Sequence, residues 1–313
     1  MERHLFLTGQ TELHGSLVAL NSMQARMREN HASGLIEVKV GKMRQIMLVY
    51  ANGAQAGVYL LEEGRSRPFN LSELSALWGG APFAVSTVGL PDRAGRAIWL
   101  IVESHKRDQM EIRGNEAWQK VLQELEKEGF SGAVEISSRL LQGFVVLRKG
   151  KVIDSETVFF NGQGFENRLP PNFDIQEHWQ VTTYVPSSTG SWQCLSLRLG
   201  GAHWTRDTLS RFQAIAGEKF LHVVDREVSL LLEPLKWNIS VNGVQVADEH
   251  FFATAESTAH AYRALMMGLG AQMGFVIGNT LTQRILTEIF EEMDREERAA
   301  LEAYRLIPAA FTL

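Results

Sequence analysis

A chain of 313 residues with 45% hydrophobic content is long enough for two or three domains, each with its own core. Its 31 Lys and Arg stand against 36 Asp and Glu, so there is no general basic field to draw in a phosphate backbone or an anionic membrane, and nucleic acid is excluded as an expected partner. The single Cys194 excludes an intramolecular disulfide, and the start MERHLFLTGQTELHG lacks the basic and then apolar order of a signal peptide, so a cytoplasmic location is expected.

In chain order, Leu20, Met23 and Met27 recur at three- and four-residue steps and predict a helix with one buried face. Gly34 marks its stop. Ile36, Val38 and Val40 then alternate with Glu37 and Lys39, the pattern of a strand with one buried and one wet face. An apolar run from Ile46 to Tyr50 leads into Asn52-Gly53, a hairpin signal. After a strand at Val85 to Val88, Pro91 and Gly95 turn the chain, and Ile98, Leu100 and Val102 alternate as a further strand.

From about Asn115 the same order returns. Ala32-Ser33-Gly34-Leu35-Ile36-Glu37-Val38 lines up with Phe130-Ser131-Gly132-Ala133-Val134-Glu135-Ile136, 98 positions on. Trp118, Val121 and Leu125 take the places of Leu20, Met23 and Met27, and Phe144 to Arg148 leads into Lys149-Gly150. Val181 to Tyr184 answers Val85 to Val88. Pro186 and Gly190 answer Pro91 and Gly95, and Leu195, Leu197 and Leu199 answer Ile98, Leu100 and Val102. The retained order implies duplication, with both copies sharing one strand order. Between the matched parts the copies differ, at Leu61 to Pro82 in the first and at Asn161-Gly162-Gln163-Gly164 and Pro170-Pro171 in the second. Loops that vary on a repeated scaffold are where recognition usually resides.

The first unit, with Ser33-Gly34, Asn52-Gly53 and then Leu74-x-x-Leu77-Trp78-Gly79-x-x-x-Phe83, resembles the PATAN-type domain of bacterial signalling proteins over roughly residues 5 to 90, with an echo over 115 to 185. That resemblance implies a domain that mediates protein contacts and not chemistry, often beside response-regulator receiver domains. Here a receiver would act in trans. Trp78 and Phe83 are then candidate interface residues. The second copy lacks this element and has Asp174-Ile175-Gln176-Glu177-His178-Trp179 nearby.

Beyond Gly200-Gly201 the pattern turns helical. Leu209, Phe212, Ala216, Phe220, Val224, Val228 and Leu231 predict one helix from Thr205 to about Leu232 with a buried stripe, ended by Pro234. Asn242-Gly243 predicts a small hairpin. From about Thr254 the chain reads as helix, with Asp294-x-x-Glu297 as the start of the last one and Pro308 as its stop. Gly270, Gly274 and Gly278 fall four apart on one face and predict a close helix crossing, within the chain or between copies. The apolar run Ala264 to Gly278 is broken by Gln272 and is too short for a bilayer span.

Several chemical signals are weak. Gly268-Leu269-Gly270-Ala271-Gln272-Met273-Gly274 has dinucleotide-loop spacing but follows helix and not strand. Glu256-x-x-x-His260 and His222-x-x-Asp225 lack a third metal ligand. Cys194 lies in an apolar segment with no tied base. The acidic residues from Glu288 to Glu297 alternate with arginines as a solvated face does.

The expected fold is α+β: a PATAN-like unit over 1–109, a diverged second unit over 110–203 and a helical domain with a hairpin over 204–313. The expected function is a non-enzymatic adaptor without cofactor or metal, with other proteins as partners, response regulators among them, and with homo-oligomers through the glycine face. The rival is an enzyme or small-ligand protein using His203, Trp204 and His250 at the junction of the second unit and the helical domain.

Overall fold

A computed structural model describes residues 13–14, 16–41, 44–62, 65–74, 76, 83–139, 141–167, 178–188 and 190–311. The protein is α+β and divides into two compact units, Met1–Thr189 and Gly190–Leu313.

The first unit holds both copies. Copy one comprises β1 (Leu13–His14), α1 (Leu17–Glu29), β2 (Gly34–Val40), β3 (Arg44–Ala51), β4 (Ala54–Glu62), β5 (Arg65–Pro68), β6 (Phe83–Gly89) and α2 (Asp92–Val102). Copy two comprises β7 (His105–Arg113), α3 (Gly114–Lys127), β8 (Gly132–Ser137), β9 (Gln142–Arg148), β10 (Lys151–Val152), β11 (Val158–Phe160), β12 (Phe165–Glu166) and β13 (His178–Val185). One sheet runs β1-β6-β2-β3-β4-β5. The other runs β7-β13-β8-β9-β11-β12, with β10 also on β9. The strand order is therefore the same in both, as duplication requires.

The identities that reveal the repeat are those the backbone constrains. Asn52 and Gly53 have φ of 47° and 82°, and Lys149 and Gly150 have 50° and 79°, the left-handed pair of a tight hairpin. Each turn folds onto the end of its copy's helix: the Gly53 amide donates to the Ala32 carbonyl at 2.9 Å and the Gly150 amide to the Phe130 carbonyl at 2.8 Å. Ser33 Oγ accepts from the Asn52 amide at 3.0 Å, and Ser131 Oγ from the Lys149 amide at 2.9 Å. Leu20, Met23 and Met27 pack onto one sheet's core with Ile36, Val38 and Ile46; Trp118, Val121 and Leu125 do the same with Val134, Ile136 and Val145.

The expected strands at Ile98 to Val102 and Leu195 to Leu199 are instead helical. Residues Ala94 to Val102 of α2 are all buried, because this helix packs on β2 and β3 of one sheet and on β8, β9 and β11 of the other. A helix covered all round loses its 3.6-residue pattern and reads as an undifferentiated apolar run. The same packing corrects the wet face assigned to Glu37, which is only 2% exposed.

The second unit contains α4 (Gly190–Ala216), α5 (Glu218–Leu232), the hairpin β14 (Ile239–Asn242) and β15 (Gln245–Asp248), α6 (Ala255–Ile277), α7 (Asn279–Glu292) and α8 (Arg295–Ala303). The hairpin turns at Asn242-Gly243 as expected. α6 packs against α4, α5 and α7. The boundary expected after residue 203 falls inside α4, and the one after 109 falls inside β7. Gly201 is a close packing point inside α4: a Cβ on it would lie 2.4 Å from the Tyr262 ring. The helix expected over Thr205 to Leu232 is two, broken at Gly217, whose φ of 86° no right-handed helix accepts. Among the described residues no helix is long and apolar enough to cross a membrane.

Candidate functional site

Trp78 lies outside the described residues. Phe83 opens β6 opposite Val40, and its side chain also lies outside the description. Gly270 and Gly274 are buried in α6, and Gly278 ends that helix with φ of 86°.

His203, Trp204 and His250 are each held by a separate element. His203 Nδ1 lies 2.6 Å from Glu297 of α8, and Nε2 lies 3.0 Å from Asp207. The hydrogen bond to Glu297 chiefly raises the imidazole pKa above its usual value, the two carboxylate charges add to it, and burial opposes it. Trp204 is 1% exposed and donates its indole N–H to the Leu286 carbonyl at 3.1 Å. His250 Nδ1 accepts from the Asn238 amide at 3.3 Å, and its ring packs on Phe252.

The remaining chemical signals are also absorbed by structure. The Gly268 to Gly274 run lies wholly within α6 and forms no phosphate loop. The exposed His260 packs edge-on to Trp237, and Asp225 Oδ2 accepts from the Gly243 amide at 2.9 Å. Cys194 is buried in α4. Buried Glu37 accepts from Gln45, and Glu135 accepts from Gln142 at 2.7 Å and from the Tyr184 hydroxyl at 2.8 Å. Burial first, and Glu135 second, keep that phenol protonated. Among the described residues no cluster of three His, Cys, Asp or Glu could hold a metal ion.

Two surfaces stand out that sequence reasoning missed. On α5, Leu221, Val224, Val228 and Leu232 form the buried stripe, while Phe220, Val223, Leu230 and Leu231 are exposed. Phe220 and Leu231 thus lie outside the buried stripe that their spacing predicts. On α6, Met267 is 51% exposed and Phe275 93%. The two helices touch where Leu231 lies over Gly268. A helix apolar on more than one side has more hydrophobic surface than its own unit buries. The density of apolar residues over Phe220 to Leu232 was the available signal.

The other surface is a cleft of about 990 Å³ in the first unit, lined from β2 through β5, by the end of α2, by β7 and by Tyr184 of β13. Among the described residues, Lys39, Arg44, Arg65, Arg67 and Lys106 line it with Glu62 as the one carboxylate, and Leu61, Ile101 and Val102 add apolar surface. Arg44 is held by Glu62 at 2.9 Å. Its described residues come from six strands, one helix and the turns between them, which is why no local motif announced it.

Comparison with protein-family models, curated proteins and solved structures finds no significant match to the chain.

Proposed function

We propose that the protein is a non-enzymatic signalling adaptor that works by binding other proteins. The observation that carries this reading is the exposed apolar surface of α5 and α6, with Phe275 93% exposed and Leu230 55%. Large apolar side chains concentrated on two packed helices are the composition of an interface core, where aromatic anchors dominate the binding energy. The PATAN-like pattern of copy one supports a signalling context and makes response-regulator receiver domains, supplied in trans, the partner class.

A Leu230→Glu, Phe275→Glu double variant tests the reading. Both side chains are exposed, so the fold and melting temperature should change little. Tagged protein purified from its own cells should bring down a protein partner that the double variant does not. Recovery of the same partners by both proteins would reject this surface as the contact.

A further inference from the structure

We infer that the exposed row of α6 joins two copies of this chain as an antiparallel helix pair, with a two-fold axis at Ala271. The inference rests on the reading of the α5 and α6 surface as a protein contact, and it assigns the α6 half of that surface to a second copy. Helix α6 packs against α4, α5 and α7. On its remaining side Met267, Ala271 and Phe275 are all exposed. Their four-residue spacing sets them in one row along the helix. This is not the row of Gly270 and Gly274, which are buried.

The row is self-complementary. Met267 and Phe275 each stand four residues from Ala271, about 6 Å along the axis in opposite directions. In an antiparallel pair centred on Ala271, Phe275 of each copy therefore lies against Met267 of the other. The small side chain at the centre lets the two helices close in, and the large ones at either end interdigitate around it. A thioether beside an aromatic ring is a favourable contact, and the two-fold makes it twice. Such an isologous contact uses the same patch on both subunits, the commonest arrangement of soluble oligomers. Leu231, 40% exposed and lying over Gly268, widens the patch beside the row.

Electrostatics favour a second copy as the occupant. Each chain carries a net charge of −5, so two copies repel unless their contact keeps like charges apart. No ionisable side chain stands between Arg263 and Arg284, a stretch that spans the whole row. Depletion of charge around an apolar centre is the composition of a homodimer core. A helix that lies on an anionic membrane instead carries Lys or Arg along its flanks, and this stretch has neither. Phe275 is the most exposed large apolar side chain among the described residues, so it gains most from being covered.

Sedimentation of the purified full chain at micromolar concentration should give twice the 35.1 kDa of one chain. Phe275→Glu should raise the dissociation constant on the order of a hundredfold, because the two-fold brings the side chain into the contact twice. Its exposure means that the melting temperature should hold. Ala271→Cys tests the axis itself: residue 271 meets its own counterpart, so mild oxidation should give a disulfide-linked dimer. Glu302→Cys, exposed on α8, should not, and the native Cys194 is buried. A monomer at every concentration, a dimer that survives Phe275→Glu, or equal trapping at 271 and 302 would overturn the inference. The purified protein holds no other partner, which separates this result from the adaptor reading. A monomer that still captures a cellular partner overturns the second copy alone, and a dimer that captures none supports the second copy and overturns the adaptor.

Discussion

The two copies share a strand order, a helix on the same face and the same bonds at the hairpin turn, yet their last helices end differently. In copy one that helix is α2, short and buried between both sheets. In copy two the matching segment after Pro186 opens α4, a 27-residue helix of the second compact unit. Each carries a buried arginine pair, at unrelated positions. Arg96 Nε donates to Glu156 at 2.9 Å, while Arg198 Nε donates to Asp248 at 2.8 Å and its Nη2 to the Asp248 carbonyl at 2.7 Å. Duplication thus fixed the sheet and its turns, and the terminal helix was free to acquire new packing partners in each copy.

The largest expected effect breaks that shared use of a buried arginine. Arg96→Leu leaves Glu156, 1% exposed, without its guanidinium, and Arg198→Leu does the same to Asp248. Stranding a buried carboxylate costs about 3–5 kcal/mol, which urea denaturation should read as a lowered midpoint in each variant. A loss below about 1 kcal/mol would mean that these pairs behave as surface ones.

A smaller effect distinguishes the two hairpins. A Cβ on Gly150 would lie 2.6 Å from the Glu126 Cα, and one on Gly53 3.0 Å from the Arg28 carbonyl oxygen. Both substitutions also place a side chain at positive φ, worth about 1–3 kcal/mol. Gly150→Ala should therefore destabilise more than Gly53→Ala in the same assay; the reverse order would contradict the closer fit of copy two. Ser33→Ala and Ser131→Ala each remove one acceptor from a turn amide and should cost about 0.5–1.5 kcal/mol, alike in the two copies.

The smallest effect belongs to α4 alone, since α2 has no histidine. The folded pKa of His203 is raised, so its stabilisation is complete below the ordinary histidine value of about 6.5 and is lost as pH rises through the folded value. The melting difference between the native chain and His203→Gln should be larger at acid than at alkaline pH. A pH-independent difference would show that the imidazole contributes no charge-dependent stability.

Much of the sheet architecture could be read beforehand because turn glycines and the serines that bond the turns are dictated by backbone geometry, whatever packs around them. The rest was hidden for physical reasons. α2 has no polar face to give it a period. β7, His-Lys-Arg-Asp-Gln-Met-Glu-Ile-Arg, is largely exposed and so lacks an alternating pattern. The outer residues of α5 are as apolar as its core stripe, and periodicity cannot say which of two apolar stripes is buried. The cleft joins residues from Lys39 to Tyr184 that only the fold brings near.

The adaptor reading is tested most directly by a photo-crosslinking amino acid placed at Phe275, with a second protein carrying it at the exposed Glu302 of α8 as control. Irradiated in its own cells, the Phe275 protein should form a covalent adduct with another polypeptide that the Glu302 protein does not form. No adduct at Phe275, or the same adducts at both positions, would contradict the account.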